Sequence, residues 1–134
     1  MRHSISLSTS RREQMLDITA QLQEMVRANN WRDGLLQVHC PHTTAGLTVN
    51  ENADPDVVRD MLATLARLVP ERGDYRHAEG NSDAHLKSSC MGCGLTLIVS
   101  GGRIMLGTWQ GVYFCEFDGP RSRQVWAAWV GSAG

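Results

Sequence analysis

Three stretches of the chain concentrate polar side chains without helical or strand periodicity: PHTTAGLTVNENADPD from Pro41, HAEGNSDAHLKSS from His77, and GTWQGVYFCEFDGPRSR from Gly107. His42, His77 and His85 lie in the first two, whereas His3 and His39 fall on predicted strands. Three neutral imidazoles suit a borderline divalent metal, zinc-like rather than magnesium, and leave one position open for water or substrate. The alternative is that each ring is hydrogen-bonded locally, because the spacing lacks the short repeat of a ligand motif.

Carboxylates accompany the histidines. Asp54 precedes Pro55 and reads as a helix N-cap, and Asp56 complements the dipole in the first turn. Glu51 and Asp83 are then the candidates for general base or for orienting ligating rings. Lys87, Ser88 and Ser89 are placed near the start of a short helix, where free amides and the positive dipole end attract phosphate. Lys87 is the only lysine among 13 basic residues, which marks it as kept for its compact, mobile ammonium. Arg121 and Arg123 alternate along a predicted strand, so both guanidinia face one side and can clamp an oxyanion, or form a solvated strand end. Cys90 and Cys93 make a lone C-x-x-C, a weak signal for redox or metal chemistry, and Cys40 and Cys115 read as small buried hydrophobes. Trp109 is either core or a stacking wall, with core the expected place.

These blocks, HTTA at 42–45, NENADP at 50–55, EGNSDAHLKSS at 79–89 and GTWQG at 107–111, together resemble the signature segments of the YjbQ-like family, often called secondary thiamine-phosphate synthases. The resemblance implies an α+β fold assembled as a homotrimer and a thiamine-phosphate-synthase-like transferase activity. That activity joins a pyrimidine carbinol pyrophosphate to a thiazole phosphate with loss of pyrophosphate. Lys87, Arg121 and Arg123 would then clamp the leaving pyrophosphate, with Glu51, Asp83 and Lys87 as the catalytic set. Pyrophosphate chemistry ordinarily uses magnesium on oxygen ligands, which conflicts with a histidine trio. Two other readings follow: a metal-assisted hydrolase of a phosphorylated or acyl substrate, and a non-catalytic binder of metal or metabolite.

The elements that must position these residues follow from periodicity. His3 to Thr9 alternates as a strand, and Ser10 with Glu13 fits a capping box opening a helix over 11–28. Leu35–Cys40 and Gly46–Glu51 read as strands on either side of the PHTT corner. A second helix opens at Pro55, with Val58, Met61, Leu62, Leu65 and Leu68 facing inward, and ends at Pro70. Residues 71 to 82 form a long polar loop, followed by a short helix over 83–91 capped by Asn81 or Ser82. Leu95–Val99, Arg103–Trp109, Val112–Phe117 and Gln124–Val130 then read as an antiparallel meander. The class is α+β: antiparallel or mixed sheets with two longer helices and one short helix, in one domain over 1–134.

At 134 residues and net charge -1 the chain has one domain's length and no basic run, so neither nucleic acid nor membrane is expected as partner. The partner expected instead is a phosphorylated small molecule. No apolar run suits a signal peptide or membrane span, so the expected location is the cytoplasm, with reduced thiols. The terminal VWAAWV strand is apolar on both faces, as a strand covered by a second subunit would be.

Overall fold

A computed structural model describes residues 1–132. The chain runs β1 (His3–Ser8), β2 (Gln14–Asp17), α1 (Thr19–Ala28), β3 (Gly34–His39), β4 (Ala45–Glu51), α2 (Pro55–Leu68), α3 (Ser82–Met91), β5 (Gly94–Ser100), β6 (Arg103–Ile104), β7 (Gln110–Glu116) and β8 (Ser122–Gly131). Two antiparallel sheets result, one ordered β1-β8-β3-β5-β6 and the other β2-β7-β4. Together with three helices they make the α+β class.

The main core lies where the two sheets and α1 meet. Leu36, Val38, Leu97, Val99 and Val125 come from the larger sheet, Leu47, Val112 and Phe114 from the smaller, and Leu22 and Val26 from α1. The opposite face of the smaller sheet presents Tyr113 and Cys115, with Phe117 just beyond β7, to α3 and to the inner side of α2. Strand β7 is therefore covered on both faces, and six of its seven residues, Gly111 to Glu116, are buried.

The helix expected over 11–28 starts instead at Thr19, because Gln14–Asp17 pairs with β7 from Gln14↔Glu116 to Asp17↔Tyr113. Met15 packs into the outer core and Leu16 into the main one, the alternation of a strand rather than the stripe of a helix. Asp17, not Ser10, prepares the helix start by accepting from the Thr19 amide at 2.9 Å. Consequently α1 and α3 have ten residues each, and only α2, with 14, is longer.

Helix α2 begins as the sequence indicates, with Asp54 accepting from the Asp56 amide at 2.9 Å and Pro55 in the first turn. Its packing is looser than expected. Val58, Leu62 and Leu65 are half-buried against the outer core, but Leu68 is 73% exposed. The strand expected at Arg103–Trp109 stops at Ile104, since the Gln110 side chain accepts from the Gly107 amide at 2.8 Å and closes a GTWQ turn. Trp109, expected in the core, is 62% exposed on that turn.

The meander is also corrected. Only β5 and β6 form such a hairpin; β7 crosses to the smaller sheet, and β8 returns between β1 and β3. On β8 the inner residues Arg123, Val125 and Ala127 are buried while Val130 is 61% exposed, so one face of this strand is uncovered in the single chain.

Candidate functional site

Strand β3 ends at His39, and Cys40 is tied back by its amide to the Cys93 carbonyl at 2.8 Å, so the PHTT corner projects beside the start of β8. There the His42 ring stands edge-on to Phe114, and its Nε2 accepts from the Gln124 amide at 2.9 Å. The same nitrogen lies 3.2 Å from the Gln124 carbonyl, so both polar groups of the Gln124 backbone hold the ring. Burial, reinforced by the nearby Arg123 charge, pushes His42 below the ordinary histidine range.

Arg123 points inward, the opposite of a free anion clamp. Its Nε donates to Glu116 Oε1 at 2.8 Å, a second nitrogen bonds Glu116 Oε2, and the same nitrogen donates to Thr44 Oγ1 at 2.8 Å. The Thr9 hydroxyl donates to Glu116 Oε1 at 2.7 Å, and the Asp118 amide donates to Glu116 Oε2 at 3.1 Å. Burial alone would raise the Glu116 carboxyl, but these hydrogen bonds and the Arg123 charge hold it below its ordinary value. This closed cluster forms a floor that fixes Thr44.

Arg121 lies two residues earlier, beyond the Gly119–Pro120 turn, with its side chain 52% exposed. Its Nε donates to the Asp118 carbonyl at 2.7 Å and another nitrogen to Asp118 Oδ2 at 3.0 Å. Asn81 donates its Nδ2 to the same carboxylate oxygen at 2.8 Å. The expected arginine pair is thus divided: Arg121 reaches solvent and Arg123 belongs to the floor.

Helix α3 brings the second polar block to this place. It starts at Ser82, so Lys87, Ser88 and Ser89 sit mid-helix, where amides serve the helix ladder. Ser88 donates to the Ala45 carbonyl at 2.7 Å and docks α3 onto β4, while Ser89 donates to the His85 carbonyl at 3.0 Å. A Cβ at Gly46 would come within 2.8 Å of the Met91 side chain and the Gly92 carbonyl, so glycine permits this close approach.

Lys87 is 1% exposed, hydrogen-bonded to Asp83 at 2.8 Å and ion-paired with Glu13 at 3.3 Å. Asp83, itself fully buried, receives two bonds from Arg12, at 2.9 and 3.1 Å. Burial would raise the Asp83 carboxyl, yet the bonds from Arg12 and Lys87 keep it below its ordinary value. Asp83 and Lys87, both buried, therefore lock α3 against the 10–13 segment. Glu51 lies six residues along β4 from Ala45, roughly 20 Å at strand rise, on the register that pairs with Gln110.

What converges is a cleft of about 340 Å³ lined by Thr43, Thr44, Glu79, Asn81, Asp118 and Arg121 together with His42, His85 and Arg123. His85 also stands edge-to-face with His77, ring centres 5.4 Å apart, on the other side of the α3 start. Hence His42 and His85 share the cleft, and His77 joins His85 from outside. Among the described residues, no three of His, Cys, Asp and Glu are grouped as a metal site. Within one chain the three-histidine set does not fit a metal, because His42 Nε2 is engaged by Gln124 and His77 borders a different depression.

A neighbouring depression of about 480 Å³, lined by Ser6, Ser8, Ser122, Gln124 and Trp126, meets the cleft at Pro41, His42 and Arg123. Asn81 and Asp118 escape a motif reading because each looks like a turn or cap residue; EGN and FDGP are the only trace. Arg12 and Glu13 are hidden in an apparent capping box, and Thr9 in the end of the strand before it. Cys90 and Cys93 are exposed free thiols, and Cys40 and Cys115 are buried, with burial pushing the Cys115 thiol up to about 12.

The model of the UPF0047 protein YjbQ-like family matches residues 3–132. The chain belongs to this family. It is 46% identical over 132 residues to UPF0047 protein YugU of Bacillus subtilis, covering 98% of this chain and all of YugU. It is 46% identical over 125 residues to UPF0047 protein MJ1081 of Methanocaldococcus jannaschii, covering 93% of this chain and 91% of that one. Two crystal structures share the fold. A yjbq/upf0047 family protein of Clostridium acetobutylicum superposes with TM-score 0.93 at 51% identity, covering 96% of this chain and 99% of the other. APE1520 of Aeropyrum pernix gives TM-score 0.93 at 37% identity, covering 98% and 99%. Membership accounts for the α+β architecture and leaves the reaction to the chemistry of the cleft. Among the described residues no helix is long and apolar enough to cross a membrane.

Proposed function

We propose that the cleft binds a phosphorylated small molecule and that the protein is a transferase of the thiamine-phosphate-synthase type. The observation that carries this reading is the meeting of the PHTT, EGN and DGPR segments in one polar cleft. Arg121 offers an exposed guanidinium to phosphate oxygens, Thr43 and Thr44 offer hydroxyls, and the neutral His42 ring can hydrogen-bond the ligand through its other nitrogen. A transfer needs two substrates side by side, and the two depressions that join at His42 supply adjoining compartments. The cationic clamp expected of Lys87, Arg121 and Arg123 rests in this reading on Arg121, because the other two charges are buried and paired.

The test is incubation with the pyrimidine carbinol pyrophosphate and the thiazole phosphate. Stoichiometric release of pyrophosphate, abolished in Arg121→Ala, supports the transferase; no release sinks it. The His77–His85 pair favours a second reading, a metal-assisted hydrolase in which a zinc-like ion takes its remaining ligand from another copy of the chain. That reading requires the homotrimer, whose natural seam is the uncovered outer face of the larger sheet with Leu35, Ile98 and Val130 exposed. Elemental analysis of untreated protein and light scattering decide it: bound metal in an assembly three times 14.8 kDa is expected, and a metal-free monomer would refute it.

A further inference from the structure

His85, in the first turn of α3, borders two hollows at once. On one side it lines the polar cleft, and on the other a depression of about 500 Å³ between α3 and the polar loop that precedes it. Tyr75 and His77 from the loop, with His85 and Leu86 from the helix, wall this depression. Its charged members, Asp74 and Arg76, are exposed and opposite in sign, so it offers no net charge to a phosphate. Three rings and a leucine with a few polar groups, in a space of this size, make the ordinary lining of a site for a small organic ring.

The walls are also held in place. The Tyr75 hydroxyl donates to the Pro70 carbonyl at 2.6 Å and its amide to the Gly73 carbonyl at 2.9 Å, which fixes the tyrosine at the base of the loop. Glu71 lies 3.4 Å from Arg12, which in turn bonds Asp83 of α3, so the start of the loop is tied to the same helix. His77 and His85 stand at 86° to each other and form a corner. Leu86 is 48% exposed beside them. Covering that apolar surface is favourable in proportion to its area, and an aromatic ring gains further from offset or edge-to-face contact with the rings around it.

Resting on the proposed phosphate site, we infer that its ligand is a phosphate monoester carrying an aromatic ring on a short linker, with the ring in this depression. The phosphate lies beside Arg121 and Thr43, and the ring against Tyr75, His77 and Leu86. Both hollows border His85, so the linker has a single side chain to cross. The hydroxyl-lined depression beyond His42 is then left for the second substrate of the transfer.

Calorimetric titration of the full chain with 2-phenylethyl phosphate and with ethyl phosphate, the same ester without the ring, tests this. The ring-bearing ester is expected to bind roughly tenfold or more tightly, the factor that covered apolar surface and an aromatic contact supply. Leu86→Ala should cut that preference to about threefold or less and leave ethyl phosphate binding unchanged, since Leu86 borders the depression and not the cleft. Alanine favours the helix and Leu86 is half exposed, so thermal unfolding should hold and a folding defect is separable from lost recognition. His77→Ala, a change on the exposed loop, should lower the preference as well. Equal affinity for both esters in the wild type overturns the inference but leaves the phosphate site standing. A preference that survives intact in both variants places the ring elsewhere and overturns it too. Failure of both esters to bind removes the phosphate reading and this inference with it.

Discussion

The arginines on either side of Ser122 illustrate two kinds of polar environment in one short segment. Arg123 is 6% exposed, bonded twice to a fully buried carboxylate and twice to Thr44, while Arg121 is half exposed and, among the described residues, its guanidinium bonds only to Asp118. The same division separates Asp83 and Lys87, sealed with Arg12 and Glu13, from Glu79 and His85 at the cleft rim. Charge within the floor holds elements together; charge at the rim is available to a ligand. Removing one partner from the floor strands its buried mate, whereas removing a rim charge strands nothing.

Arg123→Ala should break the floor most severely, destabilising the fold by about 3–5 kcal/mol because Glu116 is left buried and unpaired. Urea denaturation gives the value, and a loss under about 1 kcal/mol would place Arg123 with the rim. Asp83→Asn should follow, at about 3 kcal/mol, since Lys87 loses its nearest counter-charge while Glu13 remains at 3.3 Å.

Acid should expose the same floor in two stages. His42 is held neutral below its ordinary value, so the unfolded chain protonates first and stability begins to fall as pH drops below about 6.5. Asp83 and Glu116 have lowered carboxyls, whose contribution is present above the unfolded values and is lost as pH falls below about 4.5 through their folded values. His42→Gln should flatten the first stage and leave the second, as chemical denaturation between about pH 7.5 and 3.5 would record. An unchanged slope above about pH 5 would show that His42 does not carry it.

Much of this contrast is legible in the residues themselves, but not its sign. Asp54–Pro55 announces α2, and the three polar blocks announce the place where His42, His85 and Arg121 meet. Local chemistry suffices there, because caps and turn residues act over a few positions. Residue type and spacing do not separate buried from exposed charge: Lys87 and Arg123 look as available as Arg121 until pairing across 71 and 79 positions, Arg12 to Asp83 and Thr44 to Arg123, closes around them. Strand β2 is masked for a related reason. Met15, Ile18 and Leu22 keep helical spacing, and only pairing with β7 turns the first of them to the outer core.

The smallest expected effect on the fold is at the rim. Arg121→Ala should cost under about 1 kcal/mol, since its ion pair with Asp118 is half in solvent. The same substitution should act strongly on ligand binding. Titrating wild type and Arg121→Ala with the thiazole phosphate under identical salt should show roughly tenfold or greater weakening in the variant, with thermal unfolding little changed. Undiminished affinity in Arg121→Ala, or no binding by the wild type, would contradict the claim that this cleft receives phosphate.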